Sequence, residues 1–173
     1  MNTHSLDTKS YKRLAVAFSG PSNNGKTTLV VKVASILQDR GFKVAIVKHD
    51  PKDKARFDRE GKDSDKFSQT GADVAVVSPN RTTLFKQSSS SIDELITLFD
   101  EFDYLLVEGL KTLPLPRVSV FRNHLDESYF EVSNAIACDE SIDTTNIPEP
   151  IEILDLNSPE EVILWIENNA KRV

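Results

Sequence analysis

The segment Gly20-Pro21-Ser22-Asn23-Asn24-Gly25-Lys26-Thr27 lies between an apolar run of strand length and a helical pattern. No other feature constrains the chain as much. It satisfies G-x-x-x-x-G-K-[ST], a spacing that needs a strand to deliver a glycine-bearing loop to the start of a helix. There, successive backbone N–H groups curl around an anion, while the helix aims its free donors and the positive end of its dipole at the same point. Glycine permits the close approach, and Asn23 and Asn24 suit the loop because asparagine tolerates left-handed backbone better than most residues. Such a loop cradles a nucleoside di- or triphosphate. In that reading Lys26 bridges the β and γ phosphates, Thr27 ligates Mg²⁺, and Thr28 bonds an α-phosphate oxygen.

The flanks supply the required context. RLAVAF at 13–18 reads as a strand, and Leu29, Val33, Ile36 and Leu37 recur at intervals of three and four, placing a helix over Lys26 to Arg40. Gly41 stands where a C-terminal cap belongs. KVAIVKH is a second strand, and the charged, proline-containing stretch from Asp50 to Glu60 is expected to be a mobile loop. Lys62 to Thr70 reads as a short helix ended by Gly71. ADVAVV then reads as a buried strand whose β-branched residues suit a sheet interior, and TTLFK as a strand at one edge. Ser91 and Glu94 form a capping box for a helix over Ile92 to Phe102. FDYLLVEG, RVSVFR, NAIACD and IEILDL are further strands, and Pro159 opens a final helix toward Val173. This alternation predicts the α/β P-loop NTPase fold, a mainly parallel sheet with helices on both faces and ligands at the carboxyl ends of its strands. Residues 1–12 are expected to be a flexible lead-in and 13–173 a single nucleotide-binding domain.

Composition sets the outer limits. A chain of 173 residues is about one domain long, and its 39% hydrophobic content is enough for a core. The net charge of -6 gives a global field that repels phosphate backbones and acidic lipid, so neither nucleic acid nor a membrane is expected as a partner. An anionic ligand must then be held by local donors. No apolar run approaches the roughly 20 residues needed to span a bilayer, and the N-terminal residues lack the apolar stretch of a secretory signal. With Cys138 as the single cysteine, the expectation is a cytoplasmic protein without a disulfide framework or multi-cysteine zinc site.

Four other places carry chemistry. Glu108 ends the apolar strand YLLV, where an acidic residue holds Mg²⁺ or its water or orients an attacking water. One methylene longer than aspartate, it suits a water-mediated contact, and a solvated strand-end glutamate is the plain alternative. Lys48-His49-Asp50 closes the second strand and faces the ligand crevice, with His49 equally readable as a hydrogen-bonded structural residue. Gly61-Lys62-Asp63-Ser64, preceded by Asp58, sets a cation, carboxylates and a hydroxyl on a loop that could close over the γ phosphate. Asn123-His124-Leu125-Asp126 keeps the asparagine and aspartate of N-K-x-D but lacks its lysine. It reads as a guanine contact or as a polar turn, with Cys138-Asp139 a competing base-side position.

Taken together, GPSNNGKTTL, GFKVAIVKHD, FDREGKDS, the TGAD before VAVVSPNR, and LLVEGLK resemble, in order, the molybdopterin-guanine dinucleotide biosynthesis adapter family. The likeness runs from about Leu14 onward. It departs in reading HDPKDK where family members carry a histidine-rich run, and in Glu60 where they have a proline. The resemblance implies a GTP-binding protein with weak GTPase activity, a homodimer that assists the guanylyltransferase converting molybdopterin to its guanine dinucleotide. It further implies GTP and Mg²⁺ as ligands, Gly20 to Thr28 as the phosphate site, Glu108 as the second acidic position, and Lys48, His49, Asp63 and Arg81 as crevice residues. Molybdopterin itself is a further candidate ligand. The alternative is a small-molecule kinase transferring the γ phosphate of ATP or GTP, against which no arginine-rich lid stands out in the chain. A metal-insertion GTPase is a third reading, for which His49 and Cys138 alone offer few ligands.

Overall fold

A computed structural model describes residues 10–173. The expected single domain over 13–173 is organised as two compact units, one running to His49 and resuming over Phe99–Val173, the other Asp50–Leu98. Of the lead-in expected over 1–12, residues 1–9 lie outside the described residues. Lys12 donates from Nζ to the Tyr104 hydroxyl at 2.9 Å and lies 4.1 Å from the centre of the Phe42 ring.

The first unit is built on β1 (Leu14–Ser19), β2 (Val44–Lys48), β5 (Tyr104–Glu108), β6 (Arg117–Phe121), β7 (Ala135–Cys138) and β8 (Glu152–Asp155), in the order β2-β5-β1-β6-β7-β8. All of these pairings are parallel. Successive strand residues point to opposite faces. Val16 and Phe18, Tyr104 and Leu106, and Val118 and Val120 pack on one face against Leu29, Val33 and Leu37 of α1 (Lys26–Asp39) and Val162, Ile163 and Ile166 of α4 (Pro159–Asn169). Each such side chain removed from water contributes about 1.5–3 kcal/mol before conformational entropy is counted. On the opposite face Phe121, Ile136 and Cys138 meet Tyr129 of a 3-10 helix, Glu127–Val132. The run Tyr104 to Val107 is wholly buried, as a central parallel strand covered on both faces requires.

Local signals set several boundaries. Helix α1 ends one residue before the sequence pattern indicated. There the Gly41 N–H bonds the Gln38 carbonyl and the Phe42 N–H bonds the Leu37 carbonyl, with Gly41 at φ +83°, a Schellman cap. The final helix stops at Asn169 and does not reach Val173. Residues Lys171–Arg172 instead form β9, antiparallel to β1, which uses backbone groups a longer helix would have left unpaired.

The second unit holds α2 (Asp63–Ser68), the antiparallel hairpin β3 (Val74–Ser78) and β4 (Arg81–Phe85), and nearly all of α3 (Ile92–Phe99). Two sequence expectations are corrected here. The strand expected at ADVAVV is not an interior strand of the main sheet, because β3 pairs with β4 in a separate two-stranded sheet and exposes most of its length, including three quarters of Val77. β-Branched residues favour any pleated strand, so the run fixed the conformation without fixing its burial. Helix α3 ends at Phe99, three residues short of expectation, where Asp100 adopts φ +51°. Its start agrees with the sequence: Glu94 N–H donates to Ser91 Oγ at 3.2 Å, and Ser91 N–H to Glu94 Oε2 at 3.0 Å. The loop after Asp50 turns around that residue, whose Oδ2 accepts from the Lys54 and Ala55 amides at 2.6 and 2.7 Å.

Candidate functional site

The loop after β1 owes its shape to three left-handed residues, Gly20 at φ +129°, Asn23 at +64° and Gly25 at +92°. At Gly20 the need for glycine is steric as well as torsional. A Cβ there would lie 2.3 Å from the Val120 carbonyl oxygen of β6. Gly25 caps α1 without any side-chain hydrogen bond, and no acidic residue occupies the helix's first turn, so its first amides face the loop uncompensated. Asn24 braces the loop on both sides. Its Nδ2 donates to the Ser22 carbonyl at 3.0 Å, and its Oδ1 accepts from the Arg122 amide at 2.8 Å. Asn23, Gly25, Lys26, Thr27, Thr28 and Arg122 line a cleft of about 410 Å³, within the range of small-ligand sites.

Beside the loop, parallel register places Phe18 opposite Glu108 and Glu108 opposite Lys48. Three strand ends therefore meet. Thr27 Oγ1 donates to Glu108 Oε2 at 3.1 Å, and Lys48 Nζ donates to Glu108 Oε1 at 2.7 Å. Glu108 is mostly buried, whereas Lys48 remains largely exposed. Lys26 Nζ donates to the Pro21 carbonyl at 2.9 Å. Burial pulls the Lys26 ammonium below its ordinary lysine range, Lys48 adds to that pull, and Glu108 opposes it. His49 follows directly, its amide bonded to the Glu108 carbonyl at 2.9 Å. Its side chain fills the space where Gly109, at φ +95°, would carry a Cβ, only 2.9 Å from the His49 Cβ. Gly20 to Thr28, Lys48, His49 and Glu108 are thus one cluster, as the sequence order alone could not show.

The other candidates have local roles of their own. Asn123, at φ +66°, donates its amide to Ser141 Oγ at 2.7 Å. Asp126 caps the 3-10 helix, accepting from the Ser128 amide at 3.0 Å, and the Ser128 hydroxyl first and that amide second lower its carboxyl pKa. Asp139 Oδ2 takes Arg122 Nε at 2.8 Å, and its Oδ1 takes the amide and hydroxyl of Ser141. Asp63 opens α2 and Arg81 opens β4, both in the second unit and both exposed. Asp63 Oδ1 lies 3.5 Å from Lys66 Nζ. Among the described residues, no group of three or more His, Cys, Asp or Glu could hold a metal ion. A hydroxyl and a carboxylate on a phosphate cradle match instead the way Mg²⁺ binds, through one or two protein oxygens plus phosphates and water.

Two arginines escaped the sequence reading, Arg122 at the cleft and a second that is buried. Arg117, 1% exposed, donates to Ser19 Oγ at 2.7 Å and to the carbonyls of Gly109 at 3.1 Å, Leu110 at 2.9 Å and Leu113 at 3.2 Å. It ties the loop after Glu108 to the last residue of β1. Burial lowers its pKa, and no carboxylate accepts from it in this set of bonds. The available signal was a lone cation opening an otherwise uncharged buried strand, RVSVF.

Comparison with known proteins gives a consistent result. The model of the family described as molybdopterin guanine dinucleotide synthesis protein B matches residues 15–139. A molybdopterin-guanine dinucleotide biosynthesis adapter protein from Haemophilus influenzae is 29% identical over 160 residues, covering 88% of this chain and 87% of that protein. A probable protein of the same name from Bacillus subtilis is 31% identical over 122 residues, covering 68% and 70%. The crystal structure of Bacillus subtilis MobB superposes with a TM-score of 0.73 at 24% identity, covering 90% of this chain and 98% of that one, a likeness of fold.

Proposed function

The chain belongs to the molybdopterin guanine dinucleotide synthesis protein B family, and on that premise we propose that it is a cytoplasmic adapter that binds GTP with Mg²⁺ and hydrolyses it slowly. It works as a homodimer beside the guanylyltransferase that forms molybdopterin guanine dinucleotide. The observation that carries the nucleotide reading is the meeting of Thr27, Glu108 and Lys48 at the mouth of a glycine-shaped phosphate loop. Names of the Haemophilus influenzae and Bacillus subtilis relatives support the adapter role. Exposed apolar side chains of the second unit, Phe67, Val77 and Leu84, support a surface that meets protein.

The chain's own residues divide the work. Loop amides and the start of α1 bind the phosphates, and Lys26 neutralises charge on the terminal phosphoryl group. Thr27 and Glu108 would hold Mg²⁺, which would supply positive charge to offset that of the terminal phosphates. Through its other oxygen Glu108 orients the attacking water. Lys48 holds that carboxylate in place through its bond to Oε1. A slow reaction fits the set, because the two further cations beside Lys26, Lys48 and Arg122, are already paired with the carboxylates of Glu108 and Asp139.

Isothermal calorimetry with GTP, ATP and GDP, in Mg²⁺ and in EDTA, tests the reading. Mg²⁺-dependent preference for guanine nucleotides, abolished in Lys26→Ala, is expected. Preference for ATP moves the reading to a kinase, and unaltered affinity in Lys26→Ala removes the phosphate assignment.

A further inference from the structure

The sheet order gives the bound nucleotide a direction. Lys26, Thr27, Glu108 and Lys48 gather on the β5 and β2 side of β1, so the terminal phosphate and metal end of the ligand is there. The α-phosphate, ribose and base must then leave toward β6, β7 and β8. On that side the clefts form a continuous line. The phosphate cleft shares Gly25, Thr28 and Arg122 with a small cleft lined also by Asn157, and Asn157 continues into a third cleft of about 380 Å³ beside Asp139 and Asp155. Arg122 stands at the junction.

We propose, resting on the nucleotide reading above, that the Arg122 guanidinium lies against the face of the nucleobase, with Asp139 as the residue that positions it. Three observations carry this. The Arg122 backbone is pinned to the phosphate loop by Asn24, which fixes where the side chain starts. Its Nε is held by Asp139, whose two oxygens are both engaged, by Arg122 and by Ser141, so Asp139 orients the arginine and does not itself read a base. The Arg122 side chain is still 43% exposed, which leaves part of the guanidinium open to a ligand. Its charge is offset by Asp139, so it adds little to phosphate attraction. What it offers is a planar, weakly hydrated surface that stacks on aromatic rings. The linings of the three clefts include no aromatic side chain that could take this part. In this arrangement Arg122, which precedes Asn123 in the chain, takes the purine-covering part of the lysine that Asn123-His124-Leu125-Asp126 lacks.

Stacking is sequence-tolerant because every base has a π face. Arg122 therefore supplies affinity for nucleosides in general, and guanine preference must come from other contacts. The test measures binding of GTP, ATP and inorganic tripolyphosphate, each with Mg²⁺, to the full chain by calorimetry. In Arg122→Ala, GTP and ATP weaken together by on the order of tenfold while tripolyphosphate is unchanged. Arg122→Lys does not restore nucleotide affinity, since an ammonium has no plane. Asp139→Asn weakens both nucleotides by a smaller factor and spares tripolyphosphate, which a merely structural aspartate would not do. Equal loss for tripolyphosphate and GTP would make Arg122 a phosphate contact and overturn the proposal. So would no loss at all, or a native protein that binds GTP no better than tripolyphosphate. Native protein that binds none of the three overturns the nucleotide reading itself.

Discussion

Replacing Gly20 with alanine probes how the phosphate loop is held to the sheet. The new Cβ would sit 2.3 Å from the Val120 carbonyl oxygen and 3.1 Å from its nitrogen. That is about 0.7 Å inside the 3.0 Å that real Cβ contacts essentially never breach. The obstacle is backbone of β6, paired with β1 one residue away at Ser19 and Ser119, so relief requires shifting the ladder or the loop. Holding alanine at φ +129° costs about 1–3 kcal/mol, and the overlap about 1–3 kcal/mol more. The sum, about 2–6 kcal/mol, is a large part of an ordinary stability of roughly 5–15 kcal/mol. At about 2–4 °C per kcal/mol for a chain of this size, Tm falls by about 4–24 °C. Gly41→Ala is the internal control. Gly41 is also left-handed, at φ +83°, but a Cβ there meets nothing within 4 Å, so only the torsional cost of about 1–2 kcal/mol applies. Differential scanning calorimetry of both variants decides the matter. Equal Tm losses for Gly20→Ala and Gly41→Ala would refute the steric argument and leave backbone torsion as the whole effect.

Arg117→Met removes a buried cation of similar length and strips donors from Ser19 and from the carbonyls of Gly109, Leu110 and Leu113. A loss of about 2–4 kcal/mol is expected in urea unfolding, and an unchanged midpoint would show that water or repacking replaces the guanidinium. Glu108→Gln keeps the shape of the side chain but loses its charge, so GTP affinity is expected to stay within about threefold while single-turnover hydrolysis slows by tenfold or more. Unaltered hydrolysis would leave Glu108 as a structural partner of Thr27 and Lys48.

The phosphate loop was legible because its requirements are local. A strand, left-handed positions that glycine and asparagine tolerate, and a helix start with free amides are all properties of consecutive residues. The same holds for the Schellman cap at Gly41 and the capping box of Ser91 and Glu94, where the groups that must bond are at most five residues apart. Alternating strands and helices likewise announced a parallel sheet. Sequence could also name Glu108, Lys48 and His49, because each ends an apolar run and so sits at the carboxyl edge.

What lies across the sheet was beyond its reach. The run at β3 reads as interior by composition, yet whether a strand is covered depends on which surfaces come to lie against it, and most of β3 stays exposed. The sequence offered Asp126 as a base contact with Asp139 as a competing position, and only the fold shows Asp126 Oδ1 accepting from Ser128 and both oxygens of Asp139 accepting from Arg122 and Ser141. Arg117 and Arg122 are five residues apart, but one is buried under the Glu108 loop and the other stands at the cleft. Even at Gly20, where the motif alone demands glycine, the carbonyl that enforces it belongs to Val120, a hundred residues away. Backbone conformation is settled among neighbours in the chain, whereas burial, pairing and charge compensation are settled by neighbours in space, which only the folded sheet brings together.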